Sequence, residues 1–261
     1  MRRIIPCLIL ILGSCQKVVH LNLETIPPQL VIEGNITDGA LPDTVKVMRS
    51  ANFYAGNTFP GVSGATVTIS DNTGVKEFLT EISTGIYITH TLRGTPGYTY
   101  DLSVTVNDTS YSATSTMPQP VPLDSITFTT STRFRNGQIT AIVNFQDPPG
   151  VANYYRYEEH INGGLYTKDF FFFEDRLSDG RYIQDNLRTD SISLNHGDLL
   201  QVDMFSVDNN DYTYFSELFR STSTGAFGTN ASPANPSTNI SNGAYGYFSA
   251  HPVRSKSVIV P

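Results

Sequence analysis

The chain has 261 residues, 39% of them hydrophobic, and a formal charge of −7 with a sequence pI near 5.1. That length and apolar fraction exclude wholesale disorder and leave room for one large or two small domains. The acidic balance, with no cluster of Lys and Arg, excludes a phosphate-backbone partner, so no nucleic acid is expected.

The chain opens MRRIIPCLILILGSC, with two arginines, an apolar run from Ile4 to Leu12, and small residues directly before Cys15. This is the layout of an export signal. The run is too short to cross a hydrocarbon core of roughly 30 Å as a stable helix. Leu12-Gly13-Ser14-Cys15 resembles a bacterial lipobox, which implies cleavage before Cys15 and attachment of lipid, palmitate included, to that residue. Residues 1–14 are therefore read as a lipoprotein signal peptide, and residues 15–28 as the lipidated cysteine and a tether ending at Pro27-Pro28. The other cysteine, Cys7, falls in the removed part, so no disulfide is expected. Without Arg2 and Arg3 the mature charge becomes −9, and lipid rather than electrostatics supplies the membrane contact.

From Gln29 the pattern is strand and turn, consistent with fifteen Phe, fourteen Tyr, twenty Gly and fifteen Pro. Period-two alternation marks Ala65–Ser70 and Tyr98–Val106, and further strands are predicted at Leu30–Ile36, Thr44–Arg49, Val75–Thr80, Gly85–Thr89 and Ser110–Thr116. Asp71-Asn72-Thr73-Gly74 and Asn107-Asp108 supply turns. Seven short strands over residues 29–118 predict a sandwich of the immunoglobulin or fibronectin III kind. In it Tyr100, following Pro96-Gly97, resembles a tyrosine corner.

Prolines 118, 120 and 122 predict a stiff linker over residues 119–123. Residues 124–261 then predict a second, larger β domain with one short helix, so the fold class is all-β with two sandwiches. Its strands include Ile126–Phe128, Ile139–Phe145, Leu200–Met204 and a closing strand from Val253 to Val260. KDFFFFED (168–175) predicts a central strand covered on both faces, with Asp169, Glu174 and Asp175 as gatekeepers. Asn210–Thr222 carries the helical face.

Catalytic motifs are missing: there is no G-x-S-x-G, Walker A loop, G-x-G-x-x-G or H-E-x-x-H, so no enzyme and no cofactor are expected. Histidines 20, 90, 160, 196 and 251 lack ligand spacing, and neighbours in Glu158-Glu159-His160 point to opposite faces of a strand. Asp208, Asn210 and Tyr212 echo a calcium loop, but Thr213 stands where glycine belongs and no glutamate closes the loop. No metal is expected. Asp-Ser/Thr-aliphatic triplets place Thr44, Ser125 and Ser191 in short matches to an O-glycosylation motif.

The window from Ser221 to Ala250 contains no Asp, Glu, Lys or Arg. In it Pro233 and Pro236 fix extended segments on either side of Asn235, Asn239 and Asn242 can bond neighbouring backbone, and Gly243 and Gly246 permit positive φ or close approach. Tyr245, Tyr247 and Phe248 lead toward the last strand. The expectation is an ordered, self-bonded loop. A carbohydrate- or peptide-binding surface is the alternative, since Asn and Tyr suit hydroxyl groups.

Set in order, the lipobox, VIEGNITDG, VSGATVTISDNTG, LRGTPGYTYDLSVTV, TSTMPQPVPLDSI and NPSTNISNGAYGYFSA resemble the Bacteroidota lipoproteins of domain-of-unknown-function family 4249. The last of these is the most specific. The resemblance implies a lipid-anchored outer-membrane accessory protein partnering a TonB-dependent receptor in glycan or peptide uptake. Whether it faces the periplasm or the medium is left open by Gln16-Lys17-Val18-Val19. A surface adhesin or structural β module is the rival reading, and a dispersed-site hydrolase a third.

Overall fold

The computed structural model describes residues 27–51, 59–130, 137–187, 194–222 and 235–261. The signal segment, Cys15, Pro233 and Ser191 lie outside the described residues. The fold is all-β with one helix, as expected.

The first sandwich packs two sheets. One comprises β1 (Leu30–Thr37), β2 (Thr44–Arg49), β5 (Thr80–Ser83), β6 (Ile86–Ile88) and β15 (Tyr245–His251), in the order β15-β1-β2-β6-β5. The other comprises β3 (Thr66–Asp71), β4 (Lys76–Phe78), β7 (Thr99–Val106) and β8 (Thr109–Thr116), in the order β4-β3-β7-β8. Alternation decides which side chains face inward: Leu30, Ile32 and Ile36 of β1 meet Leu102, Val104 and Val106 of β7 in one core. Asn107 and Asp108 both take positive φ, the conformation that a two-residue hairpin turn between β7 and β8 requires. The Tyr100 hydroxyl accepts from the Thr95 amide at 2.7 Å, the bond expected of a tyrosine corner.

The second sandwich packs β13 (Tyr182–Leu187), β10 (Ile139–Gln146) and β9 (Ser125–Thr130) against a sheet ordered β12 (Gly164–Glu174), β11 (Tyr154–Ile161), β14 (Leu199–Val207), β16 (Val253–Ile259). Its core joins Val143 and Phe145 to Tyr155, Tyr157, Val202 and Met204. Helix α1 (Asn209–Thr222) follows β14 directly. Strand β12 is an edge strand rather than the central strand that KDFFFFED suggested. Phe171, Phe172 and Phe173 suit an edge because both faces are still covered there: Phe171 and Phe173 pack on the core, while Phe172 lies edge-on to Tyr212 and Phe219 of α1.

The division at residue 124 needs correction. β15 lies beyond that boundary in the chain, yet it pairs in parallel with β1, from Val31↔Tyr245 to Thr37↔His251, and Ile240, Ala244, Phe248 and Ala250 belong to the first core. After Pro252 the chain crosses back as β16. The chain thus passes between the sandwiches three times, at residues 117–124, between β14 and β15 by way of α1, and at 251–253. The proline stretch is packed rather than free: Met117 is buried in the first core, and Val121 and Leu123 in the second. Asp38 fastens the last crossing by accepting from the Val253 amide at 2.9 Å and from Arg254 at 2.8 Å.

Candidate functional site

The described end of the uncharged carboxyl-terminal stretch, from residue 239 on, lands at the seam of the first sandwich, where the sheet edges of β15 and β8 face each other. Asn239 acts as a surrogate strand partner: its Oδ1 accepts from the Phe248 amide at 3.0 Å and its Nδ2 donates to the Phe248 carbonyl at 2.8 Å. Ser241 does the same on the other side, donating its amide to Ser112 O at 2.8 Å and accepting the Ser112 amide at its hydroxyl. Asn242, with positive φ, donates to Ser110 O, and Gly243 completes that turn. Gly246 is required sterically: at φ +102° an added Cβ would sit 2.0 Å from the Ile32 carbonyl oxygen. Phe248 is fully buried, Tyr247 is half-buried under α1, and Asn235 is exposed. Tyr245, Tyr247 and Phe248 do not lead up to the final strand; they form β15 itself.

The polar groups that suited a sugar, those of Asn239 and Asn242, are therefore engaged with backbone. Residues 239–244 are ordered and bonded to the chain's own backbone, and they deliver a strand to the first sandwich.

Asp208 stands just before helix α1, and its Oδ1 accepts from the amides of Asn210 and Asp211 at 3.0 and 2.9 Å. This is a helix cap, which explains the resemblance of Asp208-x-Asn210 to a calcium loop. The second Asp208 oxygen accepts from Ser115 of β8 at 2.6 Å, and Ser115 in turn accepts the Ala250 amide. One serine thus ties the helix cap to both sheets of the first sandwich.

Beneath α1 lies a buried polar node. The Arg156 guanidinium is held between the rings of Phe205 and Phe215, 4.2 and 4.5 Å from their centroids. It bonds Glu158 at 2.5 Å and faces Asp211 at 3.5 Å, an ionic contact too long for a hydrogen bond. Burial raises the Asp211 pKa, and Arg156 opposes that rise. Ser249 Oγ lies 2.8 Å from His251 Nδ1, and the His251 ring stands edge-on to Phe205. Burial and the nearby Arg156 lower the His251 pKa to about 3, so its ring is neutral. Tyr214 and Phe215 of α1 stack on Tyr247 of β15, with centroids 5.0 Å apart in each case. The node therefore joins β11, β14, β15 and α1, elements from both sandwiches.

Ser249, His251 and Asp211 are the residue types of an acyl-transfer triad, but they are 0%, 2% and 1% exposed. A nucleophile sealed from solvent meets no substrate, so their chemistry is structural. Sequence reasoning passed over Arg156, whose available sign was a lone cation among Tyr154, Tyr155 and Tyr157. Nothing in the sequence marked Ser249 or His251. Glu158 and His160 share the outer face of β11, where His160 pairs with Asp203 at 3.0 Å, while Glu159 is buried on the other. Thr44 and Ser125 begin strands β2 and β9 and are half-buried. Asp147, Asp175 and Asp179 are brought together at one corner of the second sandwich, although no spacing signalled it.

No curated protein matches this chain. The family model described as a domain of unknown function, DUF4249, matches residues 16–257, which takes in both sandwiches, the helix and the returning strand β15. The chain belongs to the DUF4249 family.

Proposed function

We propose that this chain is a lipid-anchored accessory protein of the outer membrane that partners a TonB-dependent receptor in the uptake of a glycan or peptide. The observation that carries the reading is a coincidence of boundaries. The family match opens at residue 16, directly after the lipobox cysteine, Cys15, so the family module is what an anchored, processed chain would present.

The architecture is in keeping with a partnering role. β1 runs from Leu30 toward the junction at Thr37, so Leu30 lies at the pole of the first sandwich remote from the second. The opposite pole gathers the β11–β12 turn, the start of β14 and the end of β16, where Leu165, Leu199 and Ile259 are exposed. The reactive side chains of the junction are sealed inside, which leaves recognition to outer surfaces such as this one.

The experiment is surface biotinylation of intact cells, detergent extraction and pull-down, alongside metabolic palmitate labelling. Wild-type chain takes up palmitate and brings a TonB-dependent receptor with it; Cys15→Ala loses the label and leaves the membrane fraction. A lipidated chain that never co-purifies with a receptor overturns the partnership and favours the adhesin.

A further inference from the structure

Three chain segments converge at the corner of the second sandwich nearest the first. Asp147 follows β10, Asp175 follows β12, and Asp179 precedes β13, so both sheets contribute. Their ligand oxygens lie within 4.8 Å of one another. Two oxygens on a shared calcium ion, each at about 2.4 Å, can be no more than about 4.8 Å apart. Asp147 is 0% and Asp175 4% exposed, and among the described residues no salt bridge reaches any of the three. Burying carboxylates side by side without a cation is costly.

Asn153 is a separate pointer to a ligand. It is 9% exposed, and its Oδ1 is buried with no hydrogen-bond partner among the described residues. The register Tyr154↔Glu174 continues to Asn153 and Asp175, whose amide donates to the Asn153 carbonyl at 3.2 Å. Residues opposite each other in an antiparallel pair present their side chains to the same face. Tyr155, two residues on and on that same face, donates its hydroxyl to Asp147 at 2.6 Å. The Asn153 amide is thereby directed at the carboxylates.

We propose that Asp147, Asp175, Asp179 and the Asn153 amide oxygen form a calcium site that staples the two sheets of the second sandwich. The carboxylates are already oriented by neighbouring donors: Gly180 N–H to Asp147 at 2.9 Å, Asn153 N–H to Asp175 at 3.0 Å, and Gly150 N–H to Asp179 at 2.7 Å. Such outer contacts fix ligand geometry while each carboxylate keeps lone pairs for a metal. An irregular set of four protein oxygens suits calcium, which takes 6–8 ligands at roughly 2.3–2.6 Å; magnesium demands a near-ideal octahedron and keeps several waters. The inference stands apart from the receptor partnership.

The test is a terbium titration of the full-length chain in detergent. Terbium takes calcium's ligands and is sensitised by nearby tyrosine, and this protein has no tryptophan to obscure Tyr155. Saturable emission is expected, displaced by CaCl2 and not by equal MgCl2. Asp179→Asn, at an exposed position, and Asn153→Ala, which leaves the charge unchanged, each weaken terbium binding at least tenfold while far-UV circular dichroism stays wild-type. CaCl2 raises the thermal midpoint of wild type and not of Asp179→Asn. Absence of saturable emission from the folded chain, equal binding by folded variants, or equal displacement by magnesium overturns the site.

Discussion

The first sandwich is completed by a strand from the far end of the chain, whereas the second is assembled mainly from strands close in sequence and then capped by a helix. The first has a largely aliphatic core, and its seam is closed by side chains that imitate backbone, those of Asn239, Ser241 and Asn242. The second buries Phe145, Tyr155 and Tyr157 together with Asp147 and Asp175, and needs α1 to cover Arg156 and Phe172. Yet α1 rests on Tyr247 of β15. The contrast teaches that the two modules are separate cores but not separate folding units, because each supplies a part that the other lacks.

The largest test of that interdependence is Gly246→Val. A side chain there collides with Ile32 and must also adopt positive φ, so β15 cannot dock. The loss should exceed about 5 kcal/mol, and limited proteolysis should show both sandwiches cleaved. If only the first becomes sensitive, the interdependence is wrong. Next is Arg156→Met, which leaves the buried Asp211 uncompensated and should cost about 3–5 kcal/mol in denaturant unfolding. Arg156→Met with Asp211→Leu should recover most of that loss. A smaller effect is expected from Asn239→Ala, which orphans the amide and carbonyl of Phe248 at the seam, at about 1–3 kcal/mol.

The last comparison is of pH dependence, and it separates the regions. An unfolded histidine titrates near 6.5, against about 3 for folded His251, so the unfolded chain binds the proton first. The junction's stability is therefore full above about pH 6.5 and falls by roughly 1.4 kcal/mol per unit as pH drops toward 3. Burial raises Asp43, in the first sandwich, and Asp185, in the second, to about 6, so here the folded chain binds the proton first. Their contribution is full below about pH 4 and is lost as pH rises through 6. Unfolding curves between pH 4 and 6 should thus show His251→Gln gaining more stability on acidification than wild type, and Asp43→Asn gaining less. Identical slopes would mean that these groups are not held as described.

Much of the fold was legible. Thr44–Arg49 coincides with β2, and Asn210–Thr222 falls within α1, because period-two and helical patterns are local consequences of burying one face. The tyrosine corner and the Asn107-Asp108 turn were legible for the same reason. Less so were the edge position of β12 and the burial of Ser249 with His251. Each depends on which distant segment covers a face, and periodicity records only that a face is covered.

By itself the sequence determined the strand-rich composition, the local turns, the lipobox pattern at Cys15 and the family to which residues 16–257 belong. The tertiary structure alone decided that residues 239–251 complete the first sandwich rather than the second, and that Asn153 and three aspartates meet at one corner. Backbone pairing and carboxylate clustering are long-range contacts; they depend on through-space proximity, and chain order carries no record of it.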